Sequence, residues 1–503
     1  MSASREKKKR QTVTDADMTQ AHAGQKGMSK TTKTALSIVA AILVVAIIVF
    51  FALVSTGFFV TNTVAATVGG HTLSPAMVNY FFYSAYQQVA NTYGDYLGMF
   101  IDTTKPLDEQ AYMSDEFDTW YDYLLDSALK GAHEVYAIYD EAVANDFALS
   151  QESLDAIDNE IAMLDVYGAM NGYTNGQAYL AANYGTGSTI ETYREYLTLS
   201  MTASEYSQQM EDSFTYTADD ISAYYEEHTD DFDGVNFRVY SINVPTSTDE
   251  EEEEVDTEAA LAECETKAKE MAEASQGDEQ AYLDYTVEYA DEDSKETYED
   301  DTATLREDYT ISSCDELYRD WLADDARQAG DTTYIANGET GYYVLYYIGQ
   351  YDRTISLPNV RHILVSASDT SDEEAMAEAK AEAQQILDDF LAGDATEESF
   401  GALADEKSAD SPEGGLYENV LPGYMEQAFE DWCFDASRQP GDTGIVETSY
   451  GYHVMYFCGY GSTYRDYLVE STLRTNDYNA WEEGVVGEVS YTTNSFGMRF
   501  TSK

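Results

Sequence analysis

The chain of 503 residues carries 94 acidic and 27 basic side chains, a formal net charge of −67 at pH 7. This acidic excess excludes a nucleic-acid binder, because phosphate backbones are bound by lysine and arginine and an acidic surface repels them. The length predicts about three domains, and the hydrophobic fraction of 44% excludes a chain that is disordered throughout.

An apolar segment near the N-terminus separates a basic tail from the acidic bulk. Residues 1–34 hold eight basic and three acidic side chains, and residues 35–59 hold no charge. About 20 apolar residues cross a bilayer as a helix, and a basic flank stays in the cytoplasm. We therefore predict a cytoplasmic tail over 1–34 and a transmembrane signal anchor over 35–59, with the bulk of this cell-membrane protein outside the cytoplasm. A cleaved signal peptide is the alternative, because residues 63–66 resemble a cleavage site.

Residues 60–232 show helical periodicity and are rich in tyrosine. Trp120, Leu124 and Ile138 belong to a set of apolar residues at three-, four- and seven-residue steps, the spacing of one helix face. The tyrosine rings either pack between helices or line a groove that grips unfolded polypeptide. Residues 462–503 return to helical spacing, and we expect the two segments to close together into one helical module.

An internal repeat organises the rest of the chain. Residues 321–331 match residues 432–442 at Trp, Asp, Arg, Gln, Gly and Asp. A strand precedes each match and a strand-like run follows it, at 237–244, 341–349, 360–365 and 451–459. We therefore predict two α+β domains over 233–352 and 353–461, each an antiparallel sheet with surrounding helices.

The sequence lacks the common metal, nucleotide and hydrolase motifs, so we predict no cofactor and no metal site. Four cysteines are too few for a disulfide scaffold, and pairing within each repeat stays open. They are Cys264, Cys314, Cys433 and Cys458. The acidic run at 249–254 is predicted to be a solvated loop, with weak cation binding at the cell surface as the alternative.

Only the second copy carries polar residues suited to a site among its apolar strands. His362 lies in its opening strand and His453 in its closing strand, so the imidazoles can meet on one face if these strands are neighbours. A single histidine in a strand is usually a satisfied core residue. In the first copy, Val239 or Tyr240 replaces one histidine and Tyr343 replaces the other. This difference between the copies favours a functional histidine pair in the second.

Short motifs follow these histidines in a fixed order through the second copy. They are Val360-Arg-His-Ile-Leu-Val, Phe400-Gly-Ala-Leu-Ala, Lys407-Ser-Ala-Asp, Gly414-Gly-Leu, Met425, Phe429, Gly441-Asp and Thr448-Ser-Tyr-Gly-Tyr-His. The ordered set resembles the parvulin family of peptidyl-prolyl cis–trans isomerases. The whole layout resembles the membrane-attached extracytoplasmic foldases of Gram-positive bacteria, in which a helical chaperone module surrounds parvulin domains. The resemblance implies a chaperone-like domain over 60–232 and a C-terminal helical segment over 462–503.

The resemblance also implies which residues act in the reaction. His362 and His453 would be the paired histidines beneath the pocket, one orienting the other by tautomer choice. Asp410 would stand beside the substrate carbonyl, and Thr448 would tie the histidine pair to the backbone. All four are our predicted catalytic residues.

The predicted substrate-binding residues follow from the same resemblance. Met425 and Phe429 would form the floor of the proline pocket, and their spacing of four predicts that they share a helix face. Leu416 or Tyr417 would form another wall. The family's Gly-Gly-Asp-Leu-Gly is Gly-Gly-Leu-Tyr-Glu over 414–418, a change that could distort the pocket.

The first copy is predicted to be a degenerate, inactive parvulin-like domain. It lacks both histidines and places Tyr318 and Leu322 near the methionine and phenylalanine positions. Spacing and client binding are its expected roles.

Together these features predict a single-pass foldase that binds unfolded exported polypeptides and isomerises their X–Pro bonds. The prolyl amide has a rotation barrier of about 18–20 kcal/mol, so uncatalysed isomerisation is slow. An enzyme needs no covalent step, because binding the twisted amide better than the planar forms is sufficient. The alternative is a non-catalytic holdase or scaffold whose parvulin-like domains only bind, which the altered loop favours.

Overall fold

The computed structural model describes residues 30–245, 256–410 and 412–501. Most of the predicted basic tail, residues 1–29, and the acidic run at 249–254 lie outside the described residues. The chain divides into two units. The first combines the part up to Ser213 with the part from Tyr478 onward, and the second is Phe214–Asp477.

The helices and strands are numbered in chain order. The α-helices are α1 Lys30–Ser55, α2 Phe58–Asn62, α3 Pro75–Tyr93, α4 Trp120–Ala144, α5 Gln151–Met170, α6 Gly176–Tyr184, α7 Ile190–Ser213, α8 Ala218–Glu227, α9 Thr229–Phe232, α10 Thr257–Ala274, α11 Glu279–Tyr289, α12 Lys295–Tyr298, α13 Glu316–Leu322, α14 Glu373–Ala392, α15 Glu397–Lys407, α16 Gln427–Cys433 and α17 Tyr464–Val486. The strands are β1 Ala66–Val68, β2 His71–Leu73, β3 Gly234–Asn243, β4 Leu305–Thr310, β5 Thr332–Ala336, β6 Gly341–Tyr351, β7 Ser356–Ser366, β8 Leu416–Tyr417, β9 Thr443–Thr448, β10 Gly451–Thr463 and β11 Tyr491–Thr493.

Helix α1 contains residues 35–55 of the predicted anchor, whereas residues 58 and 59 belong to α2. Its segment Ile38–Ser55 has a mean hydropathy of 3.3, and none of it is buried against the rest of the protein. It is therefore long and apolar enough to cross a membrane, by length and composition.

The first unit is mainly helical, and α4 packs between α3 and α7. Trp120 and Leu124 of α4 are fully buried, as the periodicity predicted. The helical spacing predicted over 462–503 ends at Val486, because Tyr491–Thr493 form strand β11 and pair with β1. The pairing partner lies more than 400 residues away in the sequence, so local periodicity could not reveal it.

The second unit contains two four-stranded antiparallel sheets that repeat one topology. Their strand orders are β4-β3-β6-β5 and β8-β7-β10-β9. Helix α10 packs on the first sheet and α14 on the second, at equivalent places. The α+β class and the antiparallel sheets are therefore confirmed. All four cysteines are free thiols in the structure.

Candidate active site

A cavity of about 540 Å³ opens beside the second sheet, between the strands and α16. Its lining residues come from both central strands, the end of β9 and the turn after it, the segment between α15 and β8, strand β8, the segment before α16 and α16 itself. They are His362, Leu364, Asp410, Tyr417, Tyr424, Met425, Glu426, Phe429, Thr448, Tyr450 and His453. The structure thus brings together six of the seven predicted site residues. Leu416 is not among the lining residues.

The two histidines meet because β7 and β10 are neighbours in the sheet. Met455 lies opposite His362 in the register, so His453 lies two residues along on the same face. The ring centroids are 5.2 Å apart, and the two Nδ1 atoms are separated by 3.0 Å. Both rings are buried. At this distance one Nδ1 donates a hydrogen bond and the other accepts it.

The neighbours of the pair decide the direction of this hydrogen bond. His362 Nε2 lies 3.1 Å from Asp410 Oδ2, a contact that does not meet hydrogen-bond geometry. A carboxylate only accepts, so the Nε2 proton of His362 faces Asp410 and its Nδ1 is an acceptor. The Nδ1–H of His453 then donates to His362, and its Nε2 accepts from the Thr448 hydroxyl at 2.9 Å. The chain begins at the Tyr450 amide, which donates to Thr448 Oγ1 at 3.3 Å.

Burial keeps both imidazoles neutral at neutral pH. Desolvation, followed by the nearby His362, lowers the pKa of His453 from 6.5 to about 4. Desolvation also lowers the pKa of His362, although the charge of Asp410 acts in the opposite direction. The pair is therefore a fixed, uncharged layer beneath the cavity and does not act as a positive centre.

Aromatic rings enclose the His362 imidazole. Tyr417 stacks on it at 4.9 Å between centroids and Phe429 meets it edge-on at 5.5 Å. The Tyr417 hydroxyl donates to Asp410 Oδ2 at 2.9 Å. Burial, followed by the hydrogen bond with Asp410, raises the pKa of Tyr417 to about 12, so the hydroxyl remains a donor. Phe429 is only 3% exposed and closes the apolar side of the cavity.

The prediction that Met425 and Phe429 share a helix face is wrong. Helix α16 begins at Gln427 with Glu426 as its N-cap, so Met425 precedes the helix. Pro422 and Gly423 start a turn here, with Gly423 at a φ of 78°. The turn still brings Met425 to the cavity.

The altered Gly-Gly-Leu-Tyr-Glu loop explains why Tyr417, and not Leu416, lines the cavity. Gly414 and Gly415 have φ angles near 60°, a region that glycine adopts without strain. Arg361 Nη1 donates to the Gly414 carbonyl at 2.9 Å and holds the loop against β7. Tyr417 then pairs opposite Val360 in β8 and lies over the histidine, whereas Leu416 pairs opposite Arg361.

The first sheet carries different residues at the positions equivalent to the site residues of the second sheet. Its register places Val239, and not Tyr240, at the position of His362, and Tyr343 at that of His453. Tyr318 corresponds to Phe429, and its ring meets Tyr343 edge-on at 5.4 Å. Counting back from the shared tryptophan places Cys314 at the methionine position and Tyr318 at the phenylalanine position, so Leu322 lies at neither. Among the described residues of the first copy, the histidine network has no counterpart.

Comparisons with known proteins identify the family of the domain that contains this site. Residues 343–457 match the family model described as the PPIC-type PPIASE domain. The chain therefore contains a parvulin-type domain. The foldase protein PrsA 1 of Listeria innocua is 36% identical over 99 residues, which cover 19% of this chain and 28% of that protein. The crystal structure of the peptidylprolyl isomerase PrsA from Bacillus cereus is 23% identical, with a TM-score of 0.18, over 27% of this chain and 49% of that one.

The matches cover only part of this chain and part of each relative. The chain spans little more than a quarter of the length of the Listeria protein. The family match ends in β10 and begins in β6, so it includes one strand of the first sheet. The parvulin domain confirms the resemblance found in the sequence.

Sequence reasoning missed the outer rim of the cavity. Tyr424 and Tyr450 are 76% and 62% exposed, and Glu426 accepts a hydrogen bond from Ser449 at 2.7 Å. These residues directly neighbour Met425 and the Thr448 motif. Their position in the sequence, beside two predicted site residues, was the signal that could have placed them at the cavity.

Proposed function

We propose that this chain is a peptidyl-prolyl cis–trans isomerase that assists the folding of exported polypeptides. The observation that carries the proposal is the hydrogen-bond chain from Thr448 through His453 and His362 toward Asp410. It lies beneath an apolar cavity within the parvulin domain. All proposed catalytic residues belong to this chain, and Met425, Phe429 and Tyr417 bind the substrate.

The site suits a reaction that twists a bond without breaking one. The proline ring of a substrate binds the apolar side formed by Phe429 and Met425. Water is then removed from the preceding carbonyl, which destabilises the planar, resonance-stabilised amide relative to the twisted one. Asp410 and the fixed histidines supply the few polar groups near that carbonyl. Their rotamers are held by the hydrogen-bond chain, so they need no reorganisation during the turn.

The first unit is proposed to bind unfolded clients. It carries a separate cavity of about 270 Å³, partly lined by Phe82, Tyr83, Tyr86 and Leu107. Aromatic rings with hydroxyl groups suit adaptable contacts with apolar polypeptide. We also propose that the degenerate copy over 233–352 contributes binding and spacing. We further propose that the chain from residue 60 onward lies outside the cytoplasm, with residues 35–59 as the anchor and residues 1–34 inside.

Exchange NMR on a short X–Pro peptide tests the isomerase proposal, with the full chain held in detergent micelles. We expect catalysed exchange that His453→Ala and Phe429→Ala both abolish. The matched control is His228→Ala, whose side chain is 40% exposed and lies outside the cavity. A folded chain that catalyses nothing but still suppresses client aggregation would contradict the proposal and leave the holdase.

A further inference from the structure

Acidic residues are missing from two segments that lie at opposite ends of the sequence. Residues 34–94 contain no Asp, Glu, Lys or Arg, and residues 489–503 contain no acid and two bases, Arg499 and Lys503. The chain as a whole carries 94 acids, so two acid-free stretches of this kind form a strong local contrast.

The first unit joins these two segments. Strand β11 pairs with β1, with Thr493 opposite Ala66. The Asn494 amide donates to the Ala65 carbonyl at 2.7 Å, which extends the pairing beyond the strands. Gly497 lies so close to the Val64 backbone that no side chain fits between them. The C-terminal segment is therefore held directly beside α2.

Four phenylalanines gather where the two segments meet. We call Phe58, Phe59, Phe496 and Phe500 the phenylalanine rim. Phe59 stacks on Phe500 with centroids 4.9 Å apart and meets Phe496 edge-on at 5.8 Å. Phe58 and Phe496 are 45% and 44% exposed, so the rim presents apolar surface outward.

The rim lies immediately after the apolar span of α1. Phe50 of α1 contacts Phe59 with centroids 5.4 Å apart. Between them the chain turns at Gly57, which has a φ of 71° and packs against Gly187. A Cβ on Gly187 would lie 2.7 Å from the Gly57 carbonyl oxygen, so this contact requires glycine. Helix α1 is thus joined to the rest of the first unit by a packed turn and not by a long flexible linker.

We propose that the phenylalanine rim and Arg499 lie in the interfacial layer of an anionic bilayer and seat the first unit on its surface. Aromatic and apolar side chains beside a membrane span bury readily at the level of the headgroups. Arg499 is exposed beside the rim and attracts anionic headgroups, whereas the acidic surface elsewhere is repelled. This inference rests on the proposed insertion of α1 and is independent of catalysis.

Fluorescence quenching of Phe496→Trp tests the seating. The full chain is placed in vesicles of phosphatidylglycerol with bromine atoms near the top of an acyl chain, and the wild-type signal is subtracted as background. The matched control is Tyr96→Trp, since Tyr96 is 65% exposed and follows the far end of α3. That 19-residue helix is about 28 Å long. Carbonate extraction selects the inserted protein, so a failure of anchoring is seen separately.

We expect the added signal of Phe496→Trp to be quenched several-fold more than that of Tyr96→Trp. Arg499→Glu in the Phe496→Trp background should reduce this quenching in anionic vesicles more than in zwitterionic ones. Equal quenching of the two tryptophan variants, or no added quenching at position 496 in inserted protein, would overturn the proposal.

Discussion

Replacing Thr448 by valine interrupts the hydrogen-bond chain at one atom while keeping the side-chain shape. The hydroxyl donates to His453 Nε2 at 2.9 Å, and Thr448 is only 9% exposed. In Thr448→Val the imidazole nitrogen becomes a buried acceptor without its partner. Leaving such a group unsatisfied costs about 1–3 kcal/mol.

This cost predicts two measurable losses. The free energy of unfolding, measured by chemical denaturation, should fall by about 1–3 kcal/mol. If the full cost also falls on the transition state, isomerisation slows by roughly 5- to 150-fold, since about 1.4 kcal/mol is a factor of ten. Thr448→Ser retains the hydroxyl and is the matched control, with much smaller losses in both assays.

Imidazole nitrogen NMR tests the direction of the chain separately from its energy. We expect His453 to carry its proton on Nδ1 and His362 on Nε2. Wild-type stability and activity in Thr448→Val, or the opposite tautomers in the unmodified protein, would refute the reasoning.

Three further predictions concern the same cavity. The free energy of unfolding should fall as the pH drops from 6.5 to about 4, because unfolded His453 binds a proton that burial denies to the folded form. The loss is on the order of 3 kcal/mol. Chemical denaturation of the wild type and of His453→Gln at several pH values isolates this contribution. If the free energy of unfolding depends equally on pH in both proteins, the assignment is wrong. Tyr417→Phe keeps the ring over the histidine but removes the hydrogen bond to Asp410. In the NMR exchange assay, kcat should therefore fall several-fold with KM little changed. An unchanged kcat would argue against a role for this hydrogen bond. Asp410 and Glu426 line the cavity, and no lysine or arginine is among its described lining residues. Lys–Pro peptides should therefore be isomerised faster than Glu–Pro peptides, and Glu426→Gln should reduce the ratio of the two rates. A faster rate for Glu–Pro peptides would contradict this.

Much of the organisation could be predicted from sequence because its signals are local or repeated. Three features stand out without any knowledge of packing: an apolar segment of 25 residues, a Trp-to-Asp motif that occurs twice and two histidines in apolar strands. The order of short motifs was enough to recognise the parvulin domain, which the family model confirmed. Charge composition by itself predicted that the chain does not bind nucleic acid.

The finer features of the site depended on contacts between residues that are distant in sequence. Only the strand register separated Val239 from Tyr240, and only the loop held by Arg361 placed Tyr417 over the histidine. The spacing of Met425 and Phe429 suggested a helix that begins two residues later than expected.

The sequence by itself therefore determined the apolar span, the repeat and the fold class, and it predicted the residue types of the site. Only the tertiary structure decided which way the hydrogen bonds run and that the C-terminal segment returns to β1. The physical reason is that periodicity and composition report burial and helix or strand preference along the chain. Register, tautomer and loop position are set by the groups that a residue meets across space.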